Sequence, residues 1–334
     1  MNYRNLNSLI GYTARALAVS LALTSICAAA PKPFSKIPTF GDSLSDTGNA
    51  YWLTGGLFPT SPPNFDGRIC NGPVWVEQLA ETLGMHLRTE DQYAVAGART
   101  DDGNYLTHFG LPMMENTGLQ QQVAAYLQDS GPAGADPHAL HTVWIGANDI
   151  FTTLAFGGDM SLTVTDAIEN TAQAVATLAI HGARHILVVN LPDLGLTPFG
   201  LSLGQSFSYQ LSALTDAYNA GLEQALDSLE DAGIPTIRLD AAGLIRDIAD
   251  DPAAFGLVNV TDQALGSGND PDLYLFWNDV HPTSAGHGAV ADQAIDDIIA
   301  FYAPRHGHGK GRDDVHALNG LVKAYERSLR KHSK

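Results

Sequence analysis

The chain has 334 residues, 45% of them apolar and 16% charged, a composition that suits a globular protein with a sizeable core and argues against extended disorder. Charge is uneven: residues 31–304 carry 33 acids and 8 bases, a net of −25, whereas residues 305–334 carry 8 bases and 3 acids, a net of +5. An acidic body of this kind repels phosphate backbones, which excludes nucleic acid as a partner.

At the start, Arg4 and Arg15 precede an apolar run at 16–26 (ALAVSLALTSI) and the small residues Cys27, Ala28, Ala29 and Ala30. This order predicts a secretory signal peptide over residues 1–30, because the run falls short of the ~20 residues that span a bilayer. The expected location of the mature protein is therefore secreted or periplasmic. Removal of the peptide would leave one thiol, Cys70, and no internal disulfide.

From residue 37 onward, short β-branched or apolar runs alternate with longer stretches of helical period. Strands are predicted at 37–40, 92–96, 142–145, 185–190 and 236–239, and helices at 73–83, 119–128, 162–181, 207–232 and 285–302. The alternation predicts one α/β domain over 31–304, with a parallel sheet covered on both faces and a ligand site at the carboxyl ends of its strands. Residues 55–72 (GGLFPTSPPNFDGRICNG) read as a long loop at the edge of that site. Residues 305–334 read as a basic tail, with an amphipathic helix at 315–330; a solvated tail is preferred to membrane docking.

Four places along the chain can carry chemistry. Ser43, in TFGDSLSDTGN, follows the first strand, where its hydroxyl can face the site; the alternative is a helix N-cap built by Asp42 and Ser43. Gly97 closes the second strand in YAVAGART and can present a backbone N–H. Asn148, in WIGAND at the end of the central strand, can aim an amide into the same crevice, although Asn-Asp after a strand is also a common turn. Three donors around one point would suit a tetrahedral oxyanion. His281, in YLFWNDVHPTSAGHG, sits before Pro282 and the last helix on a loop that can return to the strand ends. The rival reading of that segment is a metal site of Asp279, His281 and His287. It is disfavoured because His287 falls on the helix and no zinc-like spacing accompanies it, so no metal is expected.

The stretches FGDSLSDTGN, SPPNFDGRICNGPVWVEQLA, YAVAGART, WIGAND, NLPDLGLTP and FWNDVHPTSAGH occur in order over residues 40–287. Together they resemble the GDSL lipase and esterase branch of the SGNH hydrolase superfamily, and are similar to its bacterial secreted phospholipase, lecithinase and haemolysin-type members. The resemblance implies a flavodoxin-like three-layer α/β/α sandwich with a five-stranded parallel sheet. It also implies Ser43 as nucleophile, His281 as general base and acid, and an oxyanion hole made by the N–H groups of Ser43 and Gly97 and the Asn148 side chain. No cofactor is implied.

One departure stands out. The family pattern has an aspartate three residues before the histidine; here that position is Asn278, with Asp279 one place closer. Three outcomes follow: Asn278 or a backbone carbonyl orients His281, a shifted loop gives the role to Asp279, or the protein is tuned for binding. The expected function is a serine ester hydrolase acting on lipid esters of the phospholipase A or lysophospholipase type, with Trp52, Phe58 and Phe65 along a chain-binding groove. The alternatives are a short-chain or choline esterase, a lipid acyltransferase, and a non-enzymatic carbohydrate-binding or adhesion protein. Expected partners are the small-molecule or lipid ester and a transient membrane surface, and the protein is expected to be a monomer.

Overall fold

The computed structural model describes residues 32–303. The expected signal peptide and basic tail lie outside the described residues.

Four short, buried runs form a parallel sheet: β1 (Thr39–Gly41), β2 (Leu140–Trp144), β3 (His185–Val189) and β4 (Ile237–Leu239), side by side in that order. A second, two-stranded sheet pairs β5 (Asn259–Gln263) with β6 (Tyr274–Phe276). The α-helices are α1 (Asn49–Leu53), α2 (Trp75–Thr82), α3 (Leu119–Ser130), α4 (Ala147–Phe156), α5 (Met160–Ile180), α6 (Pro198–Ser202), α7 (Gln205–Asp231), α8 (Ala241–Asp250) and α9 (Ser284–Tyr302).

Strand periodicity sends successive side chains to opposite faces, and this divides the core in two. Leu140, Trp144, Leu187, Val189, Ile237 and Leu239 pack against α2, α8 and α9. Phe40, Val143, Ile186 and Val188 pack on the other side, against α3, α5 and α7. The result is a three-layer α/β/α arrangement with the strand ends left open between the layers.

The expected fifth strand is not formed in full. Residues 92–96 run beside β1 but make only one parallel bridge, Thr39 with Gln92. Tyr93 N and Ala94 N donate to Thr39 O, and Val95 N to Gly41 O. Other backbone groups of the segment go to side chains of the Ser43 turn region: Asn49 Nδ2 donates to Gln92 O and Ala94 O, and Ala96 N donates to Asp46 Oδ2. These bonds tie the segment to residues 42–49 rather than leaving it as a regular strand. The described sheet therefore has four parallel strands.

At the site end, Gly41 is the last rung of β1 and pairs with Trp144, the last rung of β2. A Cβ on Gly41 would lie 2.2 Å from Trp144 O, and its φ of 148° also favours glycine. Gln122, from α3, clamps the same residue: Gly41 N donates to Gln122 Oε1 and Gln122 Nε2 donates to Gly41 O, both at 2.8 Å. Both backbone groups of Gly41 are thereby satisfied away from water. Gly41→Ala is expected to lower stability by about 3 kcal/mol through overpacking and backbone strain. Urea unfolding checks this, and a midpoint equal to the wild type would contradict it.

Candidate active site

Ser43 follows β1 by two residues and lies in a turn, not at a helix start; α1 begins only at Asn49. Asp42 O accepts from Ser45 N and Asp46 N, both at 3.0 Å, and Asp42 Oδ1 accepts from Leu44 N at 3.0 Å. Ser45 Oγ accepts from Trp75 Nε1 of α2 at 3.0 Å, and Asp46 takes four backbone N–H groups, those of Gly48, Asn49, Ala50 and Ala96. Asp42, Ser45 and Asp46 are thus held by bonds within the turn and to its neighbours, and Ser43 lines the cavity together with Asp42 and Leu44.

His281 stands on the loop between β6 and α9. A bridge between Phe276 and Pro282 and a bond from Trp277 N to His281 O at 2.8 Å close this loop into a tight return. Thr283 caps α9 by accepting from Gly286 N. His281 Nε2 lies 2.7 Å from Ser43 Oγ, and His281 Nδ1 lies 2.9 Å from Asn278 Oδ1.

The same Asn278 oxygen also accepts the backbone N–H groups of Val280, at 3.1 Å, and His281, at 2.8 Å. Two obligate donors on one atom require that atom to be the amide oxygen, which settles the flip of the side chain. The oxygen then takes the proton of His281 Nδ1, so Nε2 is the acceptor facing Ser43. Asp279 is exposed, and its carbonyl accepts from Phe199 N at 2.8 Å. Of the two alternatives left open by the sequence, Asn278 is the side chain that meets the imidazole.

Gly97 has a φ of 80°, and a Cβ there would come within 2.4 Å of Asn104 Oδ1, so the position is closed to larger residues. Asn148, read from the sequence as a donor into this crevice with a plain turn as the alternative, lies in the first turn of α4. It is buried, and its Nδ2 donates to Ala98 O at 3.1 Å and to Asp42 Oδ2 at 3.3 Å. Ser43, Gly97, Asn148 and His281 all line one cavity.

Burial tunes the charges of this corner. Desolvation pushes the His281 imidazole down to about 4, and no carboxylate opposes it. It pushes Asp42 up to about 7, with Asp149 and Asp46 adding repulsion and the Leu44 N–H opposing. Asp149 rises to about 7 for the same reason, although Thr100 N and Oγ1 both donate to it. Cys70 is buried, and its thiol is pushed up to about 12, which leaves it a poor nucleophile at neutral pH.

The cavity measures about 250 Å³, and its apolar walls include Leu44, Phe58, Ile69, Tyr105, Leu106, Phe151, Leu194 and Phe199. Of the three aromatic residues expected in a chain groove, Phe58 alone lines it. Trp52 is 79% exposed, and Phe65 lies under the Arg68 guanidinium instead, 5.8 Å from its ring centroid. Phe151 was missed because α4 was not read as a helix; Tyr105 and Phe199 come from stretches that carry no strand or helix period. Among the described residues no group of three or more His, Cys, Asp or Glu is placed to hold a metal. His287 is buried on α9, and its imidazole is pushed down to about 3 by desolvation, with His281 adding to the effect.

The profile described as "GDSL-like Lipase/Acylhydrolase" matches residues 37–294. The chain is similar to the phosphatidylcholine-sterol acyltransferase of Aeromonas hydrophila, at 27% identity over 84% of this chain and 95% of that protein. It is also similar to esterase EstA of Pseudomonas aeruginosa, at 31% identity over 86% of this chain, which spans only 51% of that longer protein. A thermolabile hemolysin of Vibrio parahaemolyticus is 24% identical over 80% of this chain and 64% of its own length. The chain belongs to the GDSL-like lipase/acylhydrolase family, and with it to the carboxylic ester hydrolases.

Proposed function

We propose that the protein is an exported hydrolase of lipid esters that works through an acyl-enzyme on Ser43. The hydrogen-bonded line from Ser43 Oγ through His281 to Asn278 Oδ1, at 2.7 and 2.9 Å, carries this reading. In the first half-reaction His281 Nε2 takes the Ser43 proton as Oγ attacks the ester carbonyl. The oxyanion is held by the N–H groups of Ser43 and Gly97 and by Asn148 Nδ2, which turns from Asp42 Oδ2 toward the developing charge. His281 then protonates the leaving alcohol. In the second half-reaction it activates water to release the acid.

The apolar walls of the cavity support an acyl chain as the recognised part of the substrate. The name of the Aeromonas phosphatidylcholine-sterol acyltransferase agrees with a lipid substrate. Export rests on the residue pattern of positions 1–30. A choline ester is the second reading, favoured by Asp279 and the Tyr105 ring on the cavity wall, a combination that suits a cationic head group.

Fluorophosphonate treatment and peptide mapping should place the label on Ser43, and Ser43→Ala should abolish both labelling and hydrolysis. A folded protein that takes no label would refute the acyl-enzyme.

Asn278 supplies orientation without charge. In serine proteases an Asn in the aspartate's place costs ~10⁴ in turnover because it favours the wrong tautomer. Here the pinned oxygen preserves the correct one, so only the missing charge should matter. Asn278→Asp is therefore expected to raise kcat/KM at neutral pH by about a hundredfold, the size of a general acid–base contribution at its lower end.

The pH dependence follows from the sign of the His281 shift. The base works only when neutral, so with its pKa lowered to about 4 the acid limb of kcat/KM lies near pH 4 in the wild type. A carboxylate at 278 favours the imidazolium, raises that pKa and moves the limb upward. A pH profile of both proteins on a short neutral ester checks this; an unmoved limb would contradict it. Asp279→Asn should leave that substrate's kcat/KM within about twofold while weakening choline esters, the loss expected of one exposed charge contact.

A further inference from the structure

The wall of the cavity continues onto the surface through two stretches that contain no charged residue. Residues 103–114 and 150–158 contain no Asp, Glu, Lys or Arg, although residues 31–304 as a whole carry a net of −25. The first stretch contains the short 3-10 turns Tyr105–Phe109 and Pro112–Met114, and the second covers most of α4. Where they meet, His108 and Phe156 have ring centroids 4.4 Å apart, Phe109 and Phe156 5.8 Å, and Tyr105 and Phe109 4.9 Å.

This aromatic ridge is not covered by the rest of the described chain: Phe109 is 56% exposed, Phe156 51%, Met113 44% and Leu154 38%. Large apolar side chains exposed together mark an interaction surface. The ridge is also continuous with the site. Tyr105 and Leu106 line the cavity from one stretch, and Ala147, Asn148 and Phe151 line it from α4. Leu154 and Ala155 follow on the same helical stripe one turn further out.

We propose that this ridge docks the protein on an uncharged, zwitterionic lipid surface and passes acyl chains from it into the cavity. The inference rests on the lipid-ester reading of the site. Three observations select this occupant. The cavity, at about 250 Å³, is smaller than the ~300–1,000 Å³ of sites that enclose a drug-sized ligand, so the remainder of a long chain has to lie outside it. The face flanks the cavity, where a permanently bound protein partner would obstruct substrate, whereas a lipid surface is itself the source of substrate. Finally, the two stretches supply no cation, and Asp279 on the cavity rim beside Tyr105 repels an anionic surface, which favours a neutral lipid surface over an anionic one.

The test uses the full chain at high salt, which screens the basic residues 305–334. Wild type should sediment with phosphatidylcholine vesicles. The double variant Phe109→Ser with Phe156→Ser should bind them at least tenfold more weakly and hydrolyse vesicle lipid more slowly by a similar factor. Its kcat/KM for monomeric p-nitrophenyl butyrate should stay within twofold, and its circular dichroism should be unchanged. If that variant does not fold, Met113→Ser with Leu154→Ser, exposed residues of the same two stretches, has to give the same pattern.

Failure of wild type to bind, or equal binding by the variants, overturns the docking surface. So does a wild-type dimer that the substitutions dissolve, without vesicle binding, since the face would then join two copies. Vesicle binding lost in the variants, with no ester hydrolysed by the wild type, would uphold the surface and refute the hydrolase reading.

Discussion

The site depends on how closely β1 and β2 approach at their last rung. Gly41 faces Trp144 across a gap too narrow for a Cβ, and Gln122 holds both backbone groups of that glycine. The chain leaves β1 for Ser43 two residues later and leaves β2 for Asn148 four residues later. Any widening at this rung would move the two apart. Asp42 Oδ2 and Asn148 Nδ2, 3.3 Å apart, join the two exits directly, so the sheet register is carried into the site through a hydrogen bond as well as through the backbone. Gly97 is set by the same system: Asn104 donates to Ala96 O, and Asp46 accepts from Ala96 N.

Burial makes this corner poor in charge. Asp42 is raised to about 7 and His281 is lowered to about 4, so each group is biased toward its neutral form. For an ester hydrolase with a carboxylate behind its histidine, the imidazolium that forms in the transition state has a permanent counter-charge. In the mechanism we propose, the charge facing it would be the oxyanion formed in the same step. The two charges would appear together in a low-dielectric cavity, and each would stabilise the other. The neutral Asn278 then contributes direction: three donors converge on its oxygen, two of them backbone N–H groups whose positions are fixed by the return loop.

Much of this was legible in residue order. Helices at 119–128, 162–181, 207–232 and 285–302 have long apolar stripes, and they appear as Leu119–Ser130, Met160–Ile180, Gln205–Asp231 and Ser284–Tyr302. The parallel sheet was readable from the alternation, as were the stretches that bring Ser43, Gly97, Asn148 and His281 to one cavity. What was lost has local causes. Residues 92–96 carry the composition of a strand, but Asn49 and Asp46 take backbone groups that a regular ladder would use. Asn148 and Asp149 look like a turn, and only the contacts of Ile150 and Phe151 with the core make the first turn of α4 worth forming. β5 and β6 are short and mostly polar or interrupted, with no alternation to detect. Whether Asn278 or Asp279 meets His281 depends on a one-residue register in a tight loop, which spacing alone does not specify.

The distribution of cations limits what the site can select. Arg68, Arg88, Arg99, Arg238 and Arg246 are each held by one or more carboxylates, and Arg184 donates to the carbonyls of Ala179 and Ala183. Among the described residues no lysine or arginine lines the cavity. A phosphate brought to this cavity would meet the exposed Asp279 with no guanidinium or ammonium of the described residues to hold it, and anion recognition of that kind needs such donors. In the lipid-ester reading we propose, discrimination would rest on the apolar walls, for the length and shape of the acyl chain, and on what the Asp279 rim can attract. A choline phospholipid would then be accepted for its chain and its cationic head, with the phosphate left in water between them.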